Sequence, residues 1–478
     1  MGRTLLDRTG PSVTLPENTL DRPPHLPRHS WRPLIMRLHF YAGVLVAPFI
    51  LVAAITGGLY ALAPTVERIY YGDILSVDTT GPALPLSDQV GAARTAFPEL
   101  AVHSLRPAAT DRESTRVYFA DPSLDPELLR AVFVDPHSGR VLGDEATWLG
   151  YLPLSTWLDG LHRHLNLGEP GRIYSEVAAS WLWVVALGGA YLWWVKSVRD
   201  RRRKRSTRIL TVDRSMTGRS RTLNWHGASG VWLLAALLFL SATGITWSTY
   251  AGAHVTDLRS ALNWQRPQLD TALAGGEHAG HDAATTGHEH HGAPAIDYDR
   301  ALAAAAGAGV HLPLELTLPA EPGETLSVTE IDKPYRWTTD AATVDPVDYT
   351  VTGQIDYWRD YSVIAKLADW GIRGHMGMLF GLLNQLLLLV VAVGLVTVIV
   401  RGYLMWWQRR PTRGSAWALG RAPIRGAIRR LHPAAAAGII GAAVAVGWFL
   451  PLLGLTLVGF VVVDAVVGAV AARRFTPR

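Results

Sequence analysis

Long apolar runs separated by polar stretches dominate the hydrophobic pattern of the 478-residue chain. A helix needs about 20 apolar residues to cross the hydrocarbon core of a bilayer. The first four runs are long enough to do so, and the last two are separated only by a turn at Pro451. We therefore expect four core spans followed by a C-terminal helical hairpin. The runs fall at 34–63, 173–195, 225–250, 376–400, 433–450 and 452–472.

Basic residues alternate between the connecting segments and predict the orientation. Clusters such as Arg201-Arg202-Arg203-Lys204-Arg205 and Arg409-Arg410 fall in every second segment, which places those segments in the cytoplasm by the positive-inside rule. Both termini are then cytoplasmic, and two large loops lie outside a bacterial cytoplasmic membrane. The expected order is tail 1–33, span 34–63, outer segment 64–172, span 173–195, basic loop 196–224, span 225–250, outer segment 251–375, span 376–400, basic loop 401–432 and hairpin 433–472.

The amino-acid composition excludes several kinds of cross-link and cofactor site. The chain is 49% hydrophobic and 18% charged, and it has no cysteine. Disulfides, covalently attached haem, iron–sulfur clusters held by cysteine and cysteine-based zinc sites are therefore excluded. The net charge of +5 follows from the basic segments around the spans, so we expect contact with the lipid bilayer and none with nucleic acid. No glycine-rich dinucleotide or ATP-binding motif is present, so electrons for any redox reaction must come from a separate reductase or from quinol.

An internal repeat relates the first two spans to the next two. His39 is followed by Gly43, Thr56 and Gly57 at offsets of 4, 17 and 18 residues, and the same offsets lead from His226 to Gly230, Thr243 and Gly244. Four matching positions at identical spacing indicate two parallel copies of one unit. The second and fourth spans match each other as well. His162 and His375 are each followed by Gly at +6 and +27 and by Trp-Trp at +31 and +32.

Each outer segment has the pattern of a small α+β lobe. Residues 87–96 resemble a helix, 116–119 and 131–134 resemble strands, and the turn 135–139 leads to a further strand at 140–142. Residues 297–357 repeat this order. The sequence thus predicts a multi-pass α-helical bundle, two-fold repeated, with two small extracytoplasmic α+β lobes.

The chain resembles the PepSY-associated transmembrane family over about residues 30–470. The first and third spans share the motif His-x3-Gly…Thr-Gly, and each lobe has an Asp-Pro turn. The other matching motifs are Leu161-His162…Leu167-Gly168-Glu169-Pro170-Gly171 before the second span, Tyr191-Leu192-Trp193-Trp194 at its end, His375…Phe380-Gly381 at the start of the fourth span and Pro451-Leu452-Leu453-Gly454-Leu455 in the hairpin. It implies PepSY-like lobes and similarity to iron-uptake-associated membrane proteins, some of which are haem-containing ferric-siderophore reductases. The namesake domain is also associated with the modulation of peptidases.

The four repeated histidines are the candidate haem ligands. Ionisable residues at membrane depth are costly and tend to be functional, and histidines of facing helices often hold a cofactor. We expect His39 and His226 to ligate an inner b-type haem, and His162 and His375 an outer one. Gly43 and Gly230, one turn from the inner ligands, would let a flat macrocycle lie against the backbone. Electrons would then cross the bilayer to a ferric chelate outside.

Structural roles without a cofactor also remain open for these residues. A histidine at a span end also serves as an interfacial anchor, and small residues also serve helix packing. His164 has no counterpart in the repeat and is a reserve ligand. Asn384 and Gln385 would bond either to a neighbouring helix or to a haem propionate.

The His-rich tract 276–294 is the remaining candidate site, with an accessory Cu, Zn or Fe ion as its expected ligand. If this tract is the functional site, the protein is instead a non-enzymatic metal-binding or uptake protein. A second rival is a PepSY-based regulator of an external peptidase. The possible metal ligands are His278, His281, His288, His290 and His291.

Overall fold

The computed structural model describes residues 31–203, 208–272, 296–409, 423, 425 and 427–474. The His-rich tract and its five candidate ligands lie outside the described residues. The helices are α1 Arg32–Leu45, α2 Ala47–Tyr70, α3 Gly72–Leu75, α4 Leu86–Ala96, α5 Pro153–His164, α6 Glu169–Arg202, α7 Gly218–Thr246, α8 Tyr250–Ala261, α9 Tyr298–Gly307, α10 Tyr357–Asp360, α11 Val363–His375, α12 Leu382–Trp407, α13 Pro433–Phe449 and α14 Pro451–Arg474. The strands are β1 Ala101–Arg106, β2 Thr115–Ala120, β3 Leu128–Val134, β4 Val141–Trp148, β5 Leu314–Thr317, β6 Leu326–Glu330, β7 Ala341–Val344 and β8 Val351–Ile355.

Five helices of the described part are long and apolar enough to cross a membrane, namely α2, α6, α7, α12 and α14. The apolar helix α13 is shorter and forms a hairpin with α14. The closest helix packing joins α6 to α7 and α2 to α12, so the bundle interior lies among these four helices. The protein is therefore a multi-pass helical membrane protein.

The first apolar run is divided between two helices. α1 ends at Leu45 and α2 begins at Ala47, with Pro48 in its first turn. Proline has no backbone N–H and fits the first turn of a helix, so a new helix begins there more easily than the old one continues. The single span expected over 34–63 is thus α1 followed by α2, and α2 extends to Tyr70.

Two amphipathic helices, α5 and α11, connect strands to spans. Trp157 of α5 and Leu367 of α11 are exposed, an arrangement typical of helices in a membrane interface. A sharp turn at Gly168 leads from α5 to α6, and one at Gly381 leads from α11 to α12. Their φ values of +65° and +55°, each with ψ of −135°, are accessible to glycine without strain.

The eight strands form one antiparallel sheet in the order β4-β3-β2-β1-β5-β6-β7-β8. The sequence predicts two lobes, but in the structure β1 pairs with β5 and joins the two sets of four strands. At this seam Arg106 forms an ion pair with Glu315 at 2.7 Å, and Ser104 donates a hydrogen bond to the same carboxylate. α4 and α9 cover one face, and their side chains share one hydrophobic core with both halves of the sheet.

We call the end of the bundle where α5 and α11 connect to this sheet the sheet end, and the opposite end the far end. α6 begins at the sheet end, because it follows α5, and it finishes at the far end. α7 runs back from the far end to the sheet end. These two directions fix where each candidate ligand lies.

Candidate functional site

The four repeated histidines form two facing pairs. The ring centres of His39 and His226 are 6.2 Å apart, with 72° between the ring planes. The ring centres of His162 and His375 are 6.3 Å apart, with 50° between the planes. The first pair lies at the far end, on α1 and α7, and the second lies at the sheet end, on α5 and α11. The structure thus brings together the two pairs that the repeat had suggested.

The two pairs are separated along the bundle axis. His226 and Thr243, which contacts His375, are both on α7, 17 residues apart. At 1.5 Å per residue this corresponds to about 25 Å, close to the roughly 30 Å thickness of the hydrocarbon core. The separation of the two pairs along the bundle is therefore comparable to the thickness of a hydrocarbon core.

Backbone carbonyls orient the far-end pair. Nδ1 of His39 lies 3.0 Å from the carbonyl oxygen of Val185, and Nδ1 of His226 lies 2.9 Å from that of Val398. A carbonyl oxygen only accepts hydrogen bonds, so each Nδ1 carries the proton. In a neutral ring the other nitrogen, Nε2, is then unprotonated, and it has no hydrogen-bond partner among the described residues.

Threonine hydroxyls orient the sheet-end pair. Oγ1 of Thr56 lies 3.0 Å from Nδ1 of His162, and Oγ1 of Thr243 lies 2.5 Å from Nδ1 of His375. Each hydroxyl also donates to a carbonyl one turn back in its own helix, at 2.9 Å to Val52 and 2.8 Å to Phe239. Because the hydroxyl proton is used there, the threonine oxygen accepts from the imidazole, and Nε2 is again the unprotonated nitrogen.

A glycine of a neighbouring helix makes room for each imidazole. A methyl group at Gly189 would lie 2.9 Å from Cε1 of His39, and one at Gly57 would lie 2.9 Å from Cε1 of His162. Gly402 and Gly244 face His226 and His375 in the same way, at 3.6 and 3.9 Å. The repeated glycines therefore accommodate histidines of other helices. Gly43 and Gly230, by contrast, border open space with no atom within 4 Å of such a methyl.

A cavity adjoins the sheet-end pair and includes both of its rings in the lining. Its cavity volume is about 240 Å³, which is below the ~300–1,000 Å³ of most small-molecule pockets. A group as large as a porphyrin would therefore also occupy the open mouth of the cavity. The walls are mostly apolar, with two cationic side chains, Arg163 and Arg172, and two acidic ones, Asp159 and Glu176. Arg163 forms an ion pair with Asp159 at 3.3 Å.

The ring spacing suits one metal atom within each pair. With a metal–nitrogen bond of about 2 Å on either side, a metal between two opposed imidazoles separates their ring centres by about 6.3 Å. The observed 6.2 and 6.3 Å agree with this value. Histidines that bind metals also usually donate their other ring N–H to a protein acceptor, as all four do here. The residues therefore fit a metal-containing group that the two imidazoles of a pair would hold between them.

Other candidate residues have different surroundings. His164 lies near the end of α5, and its buried Nδ1 has no hydrogen-bond partner among the described residues. Asn384 donates to the carbonyl of Gly374 at 2.8 Å, and Gln385 accepts from Thr65 at 2.6 Å, so both amides join neighbouring segments of the bundle. Within the described residues, no cluster of three or more His, Asp or Glu suits a metal ion.

A polar cleft separates the sheet from the sheet end of the bundle, with a volume of about 1040 Å³. On α2, Tyr60 lines the histidine cavity and Pro64, one turn later, lines the cleft. Burial raises the pKa of Asp332 on the cleft wall, although Arg373 at 2.7 Å opposes this shift. The cationic side chains of the cleft are Arg68, Arg106, Arg116, Arg266 and Lys333.

The spanning helices and the sheet define a multi-pass membrane protein with a folded domain at one end of its bundle. The chain belongs to the family described as the PepSY-associated TM region, whose model matches residues 36–409. No curated protein gives a significant match. The hairpin of α13 and α14 lies beyond the matched region.

Proposed function

We propose that the protein is a haem-containing electron carrier that reduces ferric chelates at the sheet end of its membrane bundle. The observation that carries this proposal is the presence of two facing histidine pairs at opposite ends, each with the ring spacing that one iron atom requires. His39 and His226 would hold an inner b-type haem, and His162 and His375 an outer one. Bound iron porphyrin supplies one-electron chemistry between Fe(III) and Fe(II).

The protein's own residues would bind and orient the two groups. The Val185 and Val398 carbonyls hold the far-end imidazoles, and Thr56 and Thr243 hold those at the sheet end. The apolar cavity wall would exclude water from the imidazoles of His162 and His375. Arg163 and Arg172 lie in the cavity lining, where a haem propionate would find a cationic partner.

The polar cleft supports an anionic chelate as the substrate. Its five cationic side chains lie beside four carboxylates, those of Glu67, Glu113, Glu330 and Asp332, and they would bind the oxygen-rich complexes in which Fe(III) is usually carried. Hard oxygen ligands hold Fe(II) less firmly than Fe(III), so reduction would release the metal. The α2 residues Tyr60 and Pro64 put this cleft about one helical turn, or roughly 6 Å, from the outer cavity.

We further propose that the far end faces the cytoplasm and that the sheet lies outside a bacterial cytoplasmic membrane. The positive-inside rule supports this orientation, because basic side chains such as Arg199, Arg203 and Arg409 cluster at the far end. A separate cytoplasmic reductase or membrane quinol would supply the electrons.

The test is the visible spectrum of the purified protein after haem supplementation. We expect Soret and α bands, with about two haems per chain, and about one in His39→Ala or His375→Ala. His254→Ala is the matched control, because His254 bonds to the Phe449 carbonyl and stacks on Trp448, away from both pairs. A wild-type protein without these bands would refute the proposal and favour metal binding by the 276–294 tract or peptidase regulation instead.

A further inference from the structure

The two histidine pairs differ in the groups that accept their Nδ1 protons. At the far end both acceptors are backbone carbonyls, those of Val185 and Val398. At the sheet end the Nδ1 atoms contact side-chain hydroxyls, those of Thr56 and Thr243, and the Ala53 carbonyl is a further backbone partner of His162. The two hydroxyl contacts distinguish the sheet end from the far end.

Thr56 is buried in the bundle, and Thr243 is partly buried at the corresponding position of the repeat. Thr56 is 5% exposed, and its hydroxyl lies between the imidazole of His162 and the Val52 carbonyl. Thr243 has the same arrangement between His375 and the Phe239 carbonyl. Each threonine directly precedes the glycine that faces the same imidazole, so one Thr-Gly pair both bonds the ring and makes room for it.

The acceptor influences the metal through the ring. An Nδ1–H that donates to a strong acceptor leaves more electron density on Nε2, which then stabilises Fe(III) and lowers the reduction potential of the bound iron. An amide carbonyl is a stronger acceptor than an alcohol oxygen. The threonine pair should therefore lower the potential less than the carbonyl pair does.

We propose that Thr56 and Thr243 are positioning residues that hold the outer imidazoles with Nε2 toward the iron and keep the outer site at a higher reduction potential than the inner site. This inference rests on the proposed function. With that order of potentials, one electron passes favourably from the far end to the sheet end and then to the ferric chelate, which becomes a ferrous chelate. A quinol donor, which loses two electrons and two protons on oxidation to quinone, serves two such transfers.

The experiment is a spectroelectrochemical titration of the haem-loaded full-length protein. His39→Ala and His375→Ala assign the two midpoint potentials, because each should leave one site occupied. We expect the outer midpoint to be the higher one. Thr56→Val and Thr243→Val keep the side-chain shape but remove the acceptor, so each should raise the outer midpoint further and leave the inner one unchanged.

Two variants serve as controls. Thr56→Ser retains a hydroxyl and should keep the wild-type potential. Thr397→Val removes a hydroxyl that bonds only within α12, to the Val393 carbonyl, and should change neither midpoint. Loss of the outer haem in Thr56→Val, with recovery in Thr56→Ser, would also support the positioning role.

Two results would overturn the inference while leaving the proposed function standing. One is an outer midpoint at or below the inner one. The other is an outer midpoint that does not change in Thr56→Val and Thr243→Val, although haem is bound. A wild-type chain that binds no haem would instead refute the proposed function, and this inference with it.

Discussion

At the scale of single residues, each paired imidazole lies against a glycine of a neighbouring helix and fills the space that a side chain would otherwise occupy. The contact is closest at Gly189 and Gly57, where even a methyl group would meet Cε1 of the ring at 2.9 Å. Real Cβ atoms almost never come this close to another atom, so the imidazole would have to move. The hydrogen bond that fixes its orientation would then be lost.

We predict that Gly189→Ala displaces His39 and removes most of the inner haem, leaving about one haem per chain. Haem content per protein, from the Soret absorbance, is the measurement. Gly441→Ala is the control, because Gly441 lies in α13 with no atom within 4 Å of a methyl at that position. There the substitution should leave haem content unchanged and stabilise the helix by about 0.5–1 kcal/mol. Equal haem loss in both variants would contradict the prediction.

The sequence reveals the ligand candidates more readily than their neighbours. Equal offsets in the two copies identify His39 and His226, together with the Thr and Gly 17 and 18 residues later. The offsets do not reveal that Thr56 and Gly57 contact His162, because that contact joins two helices that are far apart in sequence. Gly189 and Gly402 are likewise visible as repeat matches, but their function depends on helix packing.

At the scale of elements, the turn between β3 and β4 is held by one buried carboxylate. Asp135 is 1% exposed and accepts hydrogen bonds from the Thr79 and Ser138 hydroxyls and from the His137 N–H. Burial raises the pKa of Asp135, but these hydrogen bonds outweigh it and lower the pKa to about 2. The ionised form is therefore favoured in the folded state.

This shift predicts a pH dependence of sheet stability. The pKa of an unfolded aspartate is about 3.9, so the stabilisation is complete above pH 4 and is lost as pH falls towards 2. We expect Asp135→Asn to lower the free energy of unfolding by about 2 kcal/mol at pH 7 and to abolish this part of the acid dependence. Denaturant titrations at pH 7 and pH 3 measure both effects.

The matched control is Asp345→Asn in the corresponding turn between β7 and β8. Asp345 is only partly buried, and its side chain accepts a hydrogen bond from the Val347 N–H. This substitution should have a smaller effect at neutral pH. If Asp345→Asn lowered the free energy of unfolding as much as Asp135→Asn does, burial and several hydrogen-bond donors could not be the cause of the stabilisation by Asp135.

The local sequence predicts some of the turns, helices and strands but not others. The residues Asp135, Pro136 and Gly139 predict the turn, and the expected helix at 87–96 corresponds to α4. β1 was not anticipated, because its alternation over Ala101–Arg106 is weak and its place is fixed by pairing with β2 and β5. The break after α1 has a local signal in Pro48, but the continuous apolar run conceals it.

At the scale of the whole molecule, the C-terminal hairpin is attached at three depths. His254 contacts the Phe449 carbonyl at the hairpin turn, at 3.0 Å, and Trp181 donates to Thr456 at 2.8 Å. Near the far end, Asp464 of α14 forms an ion pair with Arg37 of α1, whose side chain is only 7% exposed. The hairpin is therefore an integral part of the bundle, although it lies beyond the family match.

We predict that Asp464→Asn loosens this attachment. It removes the carboxylate that neutralises the buried charge of Arg37, which keeps its hydrogen bond to the Pro423 carbonyl. Breaking a buried ion pair lowers stability by about 3 kcal/mol in comparable cases. The melting temperature in detergent should fall, and proteolysis in the hairpin should become faster. Asp257→Asn, on the exposed side of α8, is the control and should melt like the wild type. Equal melting temperatures for all three proteins would contradict the prediction.

The joining of the two strand sets could not be predicted, because a repeat predicts two similar units and does not reveal how they meet. Only the register of Ser104 and Leu105 against Thr317 and Leu316 shows the seam. It places β4 and β8 at opposite edges of one sheet.

Those two edges lead directly to the helices that carry the outer ligands. β4 is followed by α5 and His162, and β8 by α10, α11 and His375. Eight strands spaced by about 4.8 Å put the edges about 34 Å apart along the sheet, whereas the two imidazole centres are 6.3 Å apart. α5 and α11 must therefore converge beneath the sheet. The spacing of the two imidazoles thus depends on a sheet that contributes neither of them.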